Sequence, residues 1–273
     1  MWRRSRDLVE IDITYTCNLK CFNCNRSCEQ DPSSDRMSAA QVQRFLDESR
    51  DKGVRWRRIR LLGGEPTTHP QFLEIVSLVA RYRDRFAPGT RIEVATNGHG
   101  PHVKKMLAAL PDDIQVLSTS KTSNVQTAFH TFNIAPLDLP EYADAEFANG
   151  CGVVQMCGFG VTPYGYYPCA VAGAIDRSFG LNLGRQTLPD SRDEMKEELR
   201  AFCSRCGLFK RPQRETLQGP AMSPLWREAY AKSLRAPAQL TRLPAEDLVQ
   251  ITPVKHVQQP CPSGSQRIEK VSQ

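Results

Sequence analysis

Three thiols fall within eight residues in Cys17-Asn18-Leu19-Lys20-Cys21-Phe22-Asn23-Cys24. A single loop can wrap them around one cluster. Three thiolates leave one iron of a four-iron cluster without a protein ligand, and an open metal position is where a substrate or cofactor binds. Cys28 adds a fourth thiol four residues on. Ligation by Cys28 would close the open position, so a role off the cluster is expected for it.

A second set of thiols follows at Cys151, Cys157, Cys169, Cys203 and Cys206. Between Cys157 and Cys169, Pro163 and Gly165 mark a turn flanked by aromatic and β-branched residues, the pattern of a hairpin. That hairpin would bring Cys157 and Cys169 side by side. Cys203 and Cys206 form a second close pair. Two close pairs make a four-thiolate site that suits a cluster or a zinc ion, with Cys151 as the alternative to Cys157. Zinc is the competing use of the C-x2-C pairs at Cys21–Cys24 and Cys203–Cys206, but the span between them is far longer than a zinc ribbon needs.

Strands and helices must carry these thiols. Leu8–Ile13, Ile59–Leu62, Ile92–Ala95, Ile114–Leu117 and Phe129–Ile134 have strand character. Helices are expected after Ser38, with Gln41 completing a capping box, and from Pro70 and Pro101. Alternating strands and helices imply a parallel sheet with right-handed crossovers, and in such sheets the chemistry sits at the carboxyl ends of the strands. Cys17, Gly63-Gly64-Glu65, Thr96-Asn97 and Ser118 all follow a strand. Residues 149–211 change character, with five cysteines and many glycines.

CxxxCxxC after a first strand, followed by Gly63-Gly64-Glu65-Pro66 after a second, resembles the radical S-adenosylmethionine (SAM) superfamily over residues 8 to about 134. The resemblance implies an α/β fold, a truncated and open parallel (β/α) barrel. A [4Fe-4S] cluster on Cys17, Cys21 and Cys24 would bind SAM through its open iron. Gly63, Gly64 and Glu65 would hold the methionine amine, and Thr96, Asn97 and Ser118 its carboxylate and ribose. Electron transfer would cleave SAM to a 5′-deoxyadenosyl radical that abstracts a hydrogen atom from a substrate. The family usually places an aromatic residue directly before the third cysteine; here Asn23 stands there and Phe22 lies one earlier. Residues 149–212 resemble a twitch domain, the shorter relative of the SPASM domain, which holds an auxiliary iron–sulfur cluster. Gly165 and Cys169 are separated by three residues where that pattern has four. Cys157, Cys169, Cys203 and Cys206 would be its ligands.

These readings divide the chain into a core (1–148), a cysteine-rich twitch-like domain (149–212) and a tail (213–273) with one short helix at 224–234 and little other order. The expected activity is oxidation or epimerisation of a sugar-like or aminocyclitol small molecule, with Cys28 as candidate hydrogen donor. The alternatives are a peptide-modifying enzyme and a non-catalytic iron–sulfur or zinc protein. An external electron donor such as flavodoxin or ferredoxin is implied. Half of the net charge of +6 lies in residues 213–273, and no dense basic stripe exists, so nucleic-acid binding is not expected. With no long apolar stretch and no signal-peptide pattern, a cytoplasmic protein without membrane contact is expected. There, ten cysteines are better explained by metal ligation than by disulfides.

Overall fold

The computed structural model describes residues 2–123, 129–209, 214–215 and 221–245; for 129–130 and 214–215 it describes the backbone only. Its elements in chain order are β1 (Leu8–Thr14), α1 (Ala39–Asp51), β2 (Arg58–Gly63), α2 (Phe72–Phe86), β3 (Arg91–Thr96), α3 (Pro101–Ala108), β4 (Gln115–Ser118), β5 (Phe129–His130), α4 (Val153–Met156), β6 (Phe159–Thr162), β7 (Gly165–Tyr167), α5 (Ala172–Phe179), α6 (Lys196–Cys203), β8 (Arg214–Glu215) and α7 (Pro224–Arg235). A six-stranded sheet runs in the order β4-β3-β2-β1-β6-β7. Every neighbouring pair is parallel except β6 and β7. This is an α/β fold with a mostly parallel sheet.

Strand alternation divides the two faces of the sheet. Val9, Ile11 and Ile13 of β1, Ile59 and Leu61 of β2, and Ile92 and Val94 of β3 enter one core with Phe45 of α1 and Ile75 of α2. The intervening residues Glu10, Asp12, Arg60 and Glu93 therefore share the opposite, inner face. Ser38 and Gln41 form the capping box that starts α1, with reciprocal bonds of 3.1 and 2.9 Å. The helix expected from Pro70 begins at Phe72, because a short 3-10 turn over Pro66–Thr68 intervenes.

Two regions differ from the alternation reading. Of the expected strand 129–134, only Phe129–His130 is extended, and it pairs antiparallel with β8 rather than joining the main sheet. Beyond it the chain turns, with Ile134 N–H donating to Thr131 O at 3.2 Å, and Phe132 and Ala135 enter a second core. The hairpin is formed by β6 and β7 about Pro163-Tyr164, but β6 also hydrogen-bonds to β1. The cysteine-rich region thus shares its sheet with the preceding elements. Trp226 of α7 is fully buried in the second core against Phe132 and Phe179. Residues past α7 return to the first core, where Leu243 N–H donates to Pro163 O at 2.8 Å. Among the described residues no helix is long and apolar enough to cross a membrane. Cys261 lies outside the described residues.

Candidate active site

The loop after β1 carries Cys17, Cys21 and Cys24, and all three line one cavity of about 230 Å³ together with Cys28, Gly63 and Gly64. The strands order this assembly. Gly64 N–H donates to Thr14 O at 2.8 Å and Glu65 N–H to Thr16 O at 2.9 Å, tying the end of β2 to the start of the cysteine loop. The approach is too close for a side chain. A Cβ on Gly63 would lie 2.1 Å from Thr14 O, and one on Gly64 2.3 Å from Thr16 O. Gly63 also takes φ of 141°, which favours glycine.

The end of β3 closes another side. Asn97 lines the cavity, and its Nδ2 donates to Asn18 Oδ1 at 2.7 Å and reaches Cys17 Sγ at 4.0 Å. Lys121, which follows β4, sends Nζ to within 3.5 Å of Cys21 Sγ. Donors aimed at sulfur suit thiolates, which carry the charge of a bound cluster. The Cys24 thiol is held down to about 6, chiefly by a hydrogen bond from the Cys28 thiol. That bond, followed by burial, pushes Cys28 well above the usual range. Burial pushes Cys17 up to about 11. Ligation compensates such a penalty, because a metal takes the thiolate. The donor set therefore fits an iron–sulfur cluster at Cys17, Cys21 and Cys24.

Glu65 is placed differently from its expected role. Its carboxylate is fully buried and accepts from Thr67 Oγ1 at 2.7 Å, Thr96 Oγ1 at 2.9 Å and Asn97 N–H at 2.8 Å. It is a tie between the ends of β2 and β3, and it is not among the residues lining the cavity. Thr96 and Asn97 do line it. Ser118 does not: it is exposed, with its hydroxyl accepting from Ser120 N–H at 3.1 Å, and the neighbouring Thr119 lines the cavity instead.

Beneath the cysteine loop, the inner face of the sheet holds a buried chain of alternating charge. Arg26 donates through Nε to Asp12 at 3.1 Å and through Nη2 to Glu10 at 2.9 Å. Arg60 bridges Glu10 and Glu93, both at 2.7 Å. Burial pushes the Asp12 carboxyl up to about 6 against the opposing pull of Arg26. Sequence reasoning missed Arg26 and Asn23, both of which line the cavity. The available signal was their position inside or directly after the cysteine loop.

In the second thiol set, Cys151, the expected alternative to Cys157, lies with Cys169, Cys203 and Cys206. Cys169, Cys203 and Cys206 are buried in the second core, and Cys151 is the strongest charged influence on both Cys169 and Cys206. Burial pushes Cys169 up to about 12 and raises Cys203 and Cys206 well above the usual thiol range. Cys157 is also felt by Cys169, but its own strongest charged neighbours are Glu10, Arg26, Arg60 and Arg58 at the inner face of the sheet. The hairpin register explains this. Gly160 pairs with Tyr167, and Cys157 precedes the paired strand, leaving it beside the start of β1. The set that could hold a second cluster is therefore Cys151, Cys169, Cys203 and Cys206. Among the described residues no group of three or more His, Cys, Asp or Glu side chains is arranged to hold a single metal ion.

Comparison with known proteins locates this geometry. The family described as the Radical SAM superfamily matches residues 11–135. Mycofactocin maturase MftC of Mycobacterium ulcerans is 31% identical over 145 residues, which cover 50% of this chain and 37% of that protein. A probable GTP 3′,8-cyclase of Methanococcus maripaludis is 32% identical over 88 residues, covering 32% of this chain and 27% of that protein. The chain thus spans well under half the length of these relatives. Among solved structures, BtrN in complex with AdoMet and 2-DOIA aligns with a TM-score of 0.45 at 14% identity, covering 79% of this chain and 98% of that one.

Proposed function

On the premise that residues 11–135 are a radical SAM domain, we propose that this chain is an enzyme that takes a hydrogen atom from a small-molecule substrate. The carrying observation is the single cavity onto which Cys17, Cys21, Cys24, Gly63 and Gly64 open at the carboxyl ends of the parallel strands. Cys17, Cys21 and Cys24 hold a [4Fe-4S] cluster. Such a cluster, with SAM bound, would supply one-electron chemistry for reductive cleavage of SAM. The Gly63 and Gly64 backbone meets the methionine amine, and Asn97 meets the polar groups of SAM beside Cys17. Glu65 positions Thr96 and Asn97 rather than touching SAM.

Cys151, Cys169, Cys203 and Cys206 hold an auxiliary cluster, and an external flavodoxin or ferredoxin supplies reducing electrons. The reaction is oxidation or epimerisation at a carbon bearing oxygen or nitrogen, on a sugar-like or aminocyclitol molecule. For oxidation, Cys151, Cys169, Cys203 and Cys206 would hold a group able to take the one electron that the substrate must lose, together with a proton, to gain a double bond to that oxygen or nitrogen. In epimerisation Cys28, which lines the cavity, returns a hydrogen atom, and the thiyl radical left on it takes one electron from the external donor and one proton from solvent. The second reading is peptide maturation, favoured by the similarity to a maturase over half of this chain.

Anaerobic incubation of the reconstituted chain with SAM, reductant and a small-molecule metabolite extract tests the reading. Substrate-dependent 5′-deoxyadenosine with a mass loss of two hydrogens in one metabolite is expected for oxidation. Solvent deuterium fixed on carbon, and lost in Cys28→Ala, assigns epimerisation. Turnover with peptides alone moves the assignment to maturation.

A further inference from the structure

We infer that Arg26 and Asn23 form a corner of the cavity that binds a carboxylate of the substrate; this rests on the reading that the cluster and SAM share the same cavity. The Arg26 side chain is only 6% exposed, and two of its nitrogens are committed to Asp12 and Glu10. Nη1 has no acceptor among the described residues, and Arg26 lines the cavity. Two carboxylates thus fix the guanidinium and leave one edge for a ligand. Asn23 supplies the second donor. Its Oδ1 accepts from Ala221 N–H at 3.0 Å, which sets the amide orientation. Among the described residues its Nδ2 is buried without a partner, and the residue lines the same cavity.

A buried donor without an acceptor is costly, and Asn23 Nδ2 beside the uncommitted edge of Arg26 complements a group with two acceptor oxygens. Their place separates them from SAM. Gly63-Gly64 and Thr96-Asn97 end β2 and β3 on one side of β1. Arg26 is anchored on β1 itself and is felt by Cys157, which precedes β6 on the other side. The Arg26 edge of the corner is thus anchored over β1, whereas the residues assigned to SAM end β2 and β3. Asp12 is not among the residues lining the cavity, so its charge does not face the ligand directly.

The test uses full-length, anaerobically reconstituted protein loaded with SAM and reduced, with isotopically labelled acetate as probe. A paramagnetic cluster beside the corner speeds the relaxation of bound acetate in carbon NMR. Saturable enhancement is expected in the wild type, at least tenfold weaker in Arg26→Gln and clearly weaker in Asn23→Gly, with SAM affinity kept within about twofold. Asn23→Gly tolerates the backbone φ of 48° and leaves the Arg26 ion pairs intact, so it carries the test if Arg26→Gln does not fold. No saturable enhancement in the wild type, or undiminished enhancement in the folded variants, overturns the inference. A tenfold loss of SAM affinity in Asn23→Gly or Arg26→Gln also overturns it, by giving the corner to the carboxylate of SAM. Absence of iron or of SAM binding in the wild type overturns the underlying reading itself, and the inference with it.

Discussion

Removing the Glu65 carboxylate strips the acceptor from Thr67, Thr96 and Asn97 at once, at a site with no access to water. Glu65→Ala should therefore lower the unfolding free energy by about 3 kcal/mol in urea titrations, with Glu65→Gln losing less because it keeps one acceptor oxygen. Full stability with lost SAM affinity would instead put the carboxylate on the ligand. His69 offers a pH test. It is buried, its Nε2 lies 2.8 Å from Met37 O, and its Nδ1 accepts from Gln71 N–H at 3.0 Å. That pair of bonds fits the neutral ring with the proton on Nε2 and offers the cation no acceptor at Nδ1. Burial lowers its pKa below the ordinary 6.5. Below 6.5 the unfolded chain takes a proton that the folded chain refuses. Stability is therefore held above 6.5 and falls as pH drops through 6.5 toward the folded value. Urea midpoints measured on both sides of 6.5 should show this fall, and His69→Gln should flatten it.

The ends of β1, β2 and β3 are welded at the element scale, and glycine makes the weld possible. Gly64→Ala would force a methyl to within 2.3 Å of Thr16 O and 3.1 Å of Cys17 Cβ. Overpacking of this kind costs roughly 1–3 kcal/mol and displaces the first ligand. Reconstituted Gly64→Ala should bind markedly less iron than the wild type and melt several degrees lower. Wild-type iron content would show that the loop yields freely. Where local chemistry decides an element, the sequence was informative. The Ser38/Gln41 box, the Pro101 helix and the four parallel strands through residue 118 all rest on capping, proline placement and apolar alternation. Residues 129–134 misled because Phe132 and Ala135 supply apolar character to a turn inside a second core. Glu65 was legible as part of a site but not in its direction, since only the tertiary approach of β3 brings Thr96 and Asn97 to it.

At the scale of the whole molecule, the missing information was long-range pairing. Nothing local in Phe159–Thr162 announces that it lies parallel to β1, and that pairing moves Cys157 to the inner face and leaves Cys151 with Cys169, Cys203 and Cys206. The short helix expected at 224–234 is α7, but its docking could not be read from the sequence. Tyr230 of α7 shares a 2.8 Å hydrogen bond with Ser27, and Ser233 donates to Asp31 at 2.6 Å, so a C-terminal helix braces the loop that bears the cysteines. The three-thiol loop and Gly63-Gly64 were legible together, and their convergence on one cavity is the centre of the account. The most direct measurement is 5′-deoxyadenosine formed from SAM under anaerobic reduction. It should be made on the reconstituted chain and on a variant with Cys17, Cys21 and Cys24 all replaced by Ala. The wild type should bind about eight irons and form 5′-deoxyadenosine, whereas the variant should keep about four irons and form none. Stoichiometric zinc without iron, or equal 5′-deoxyadenosine from both proteins, would contradict the account.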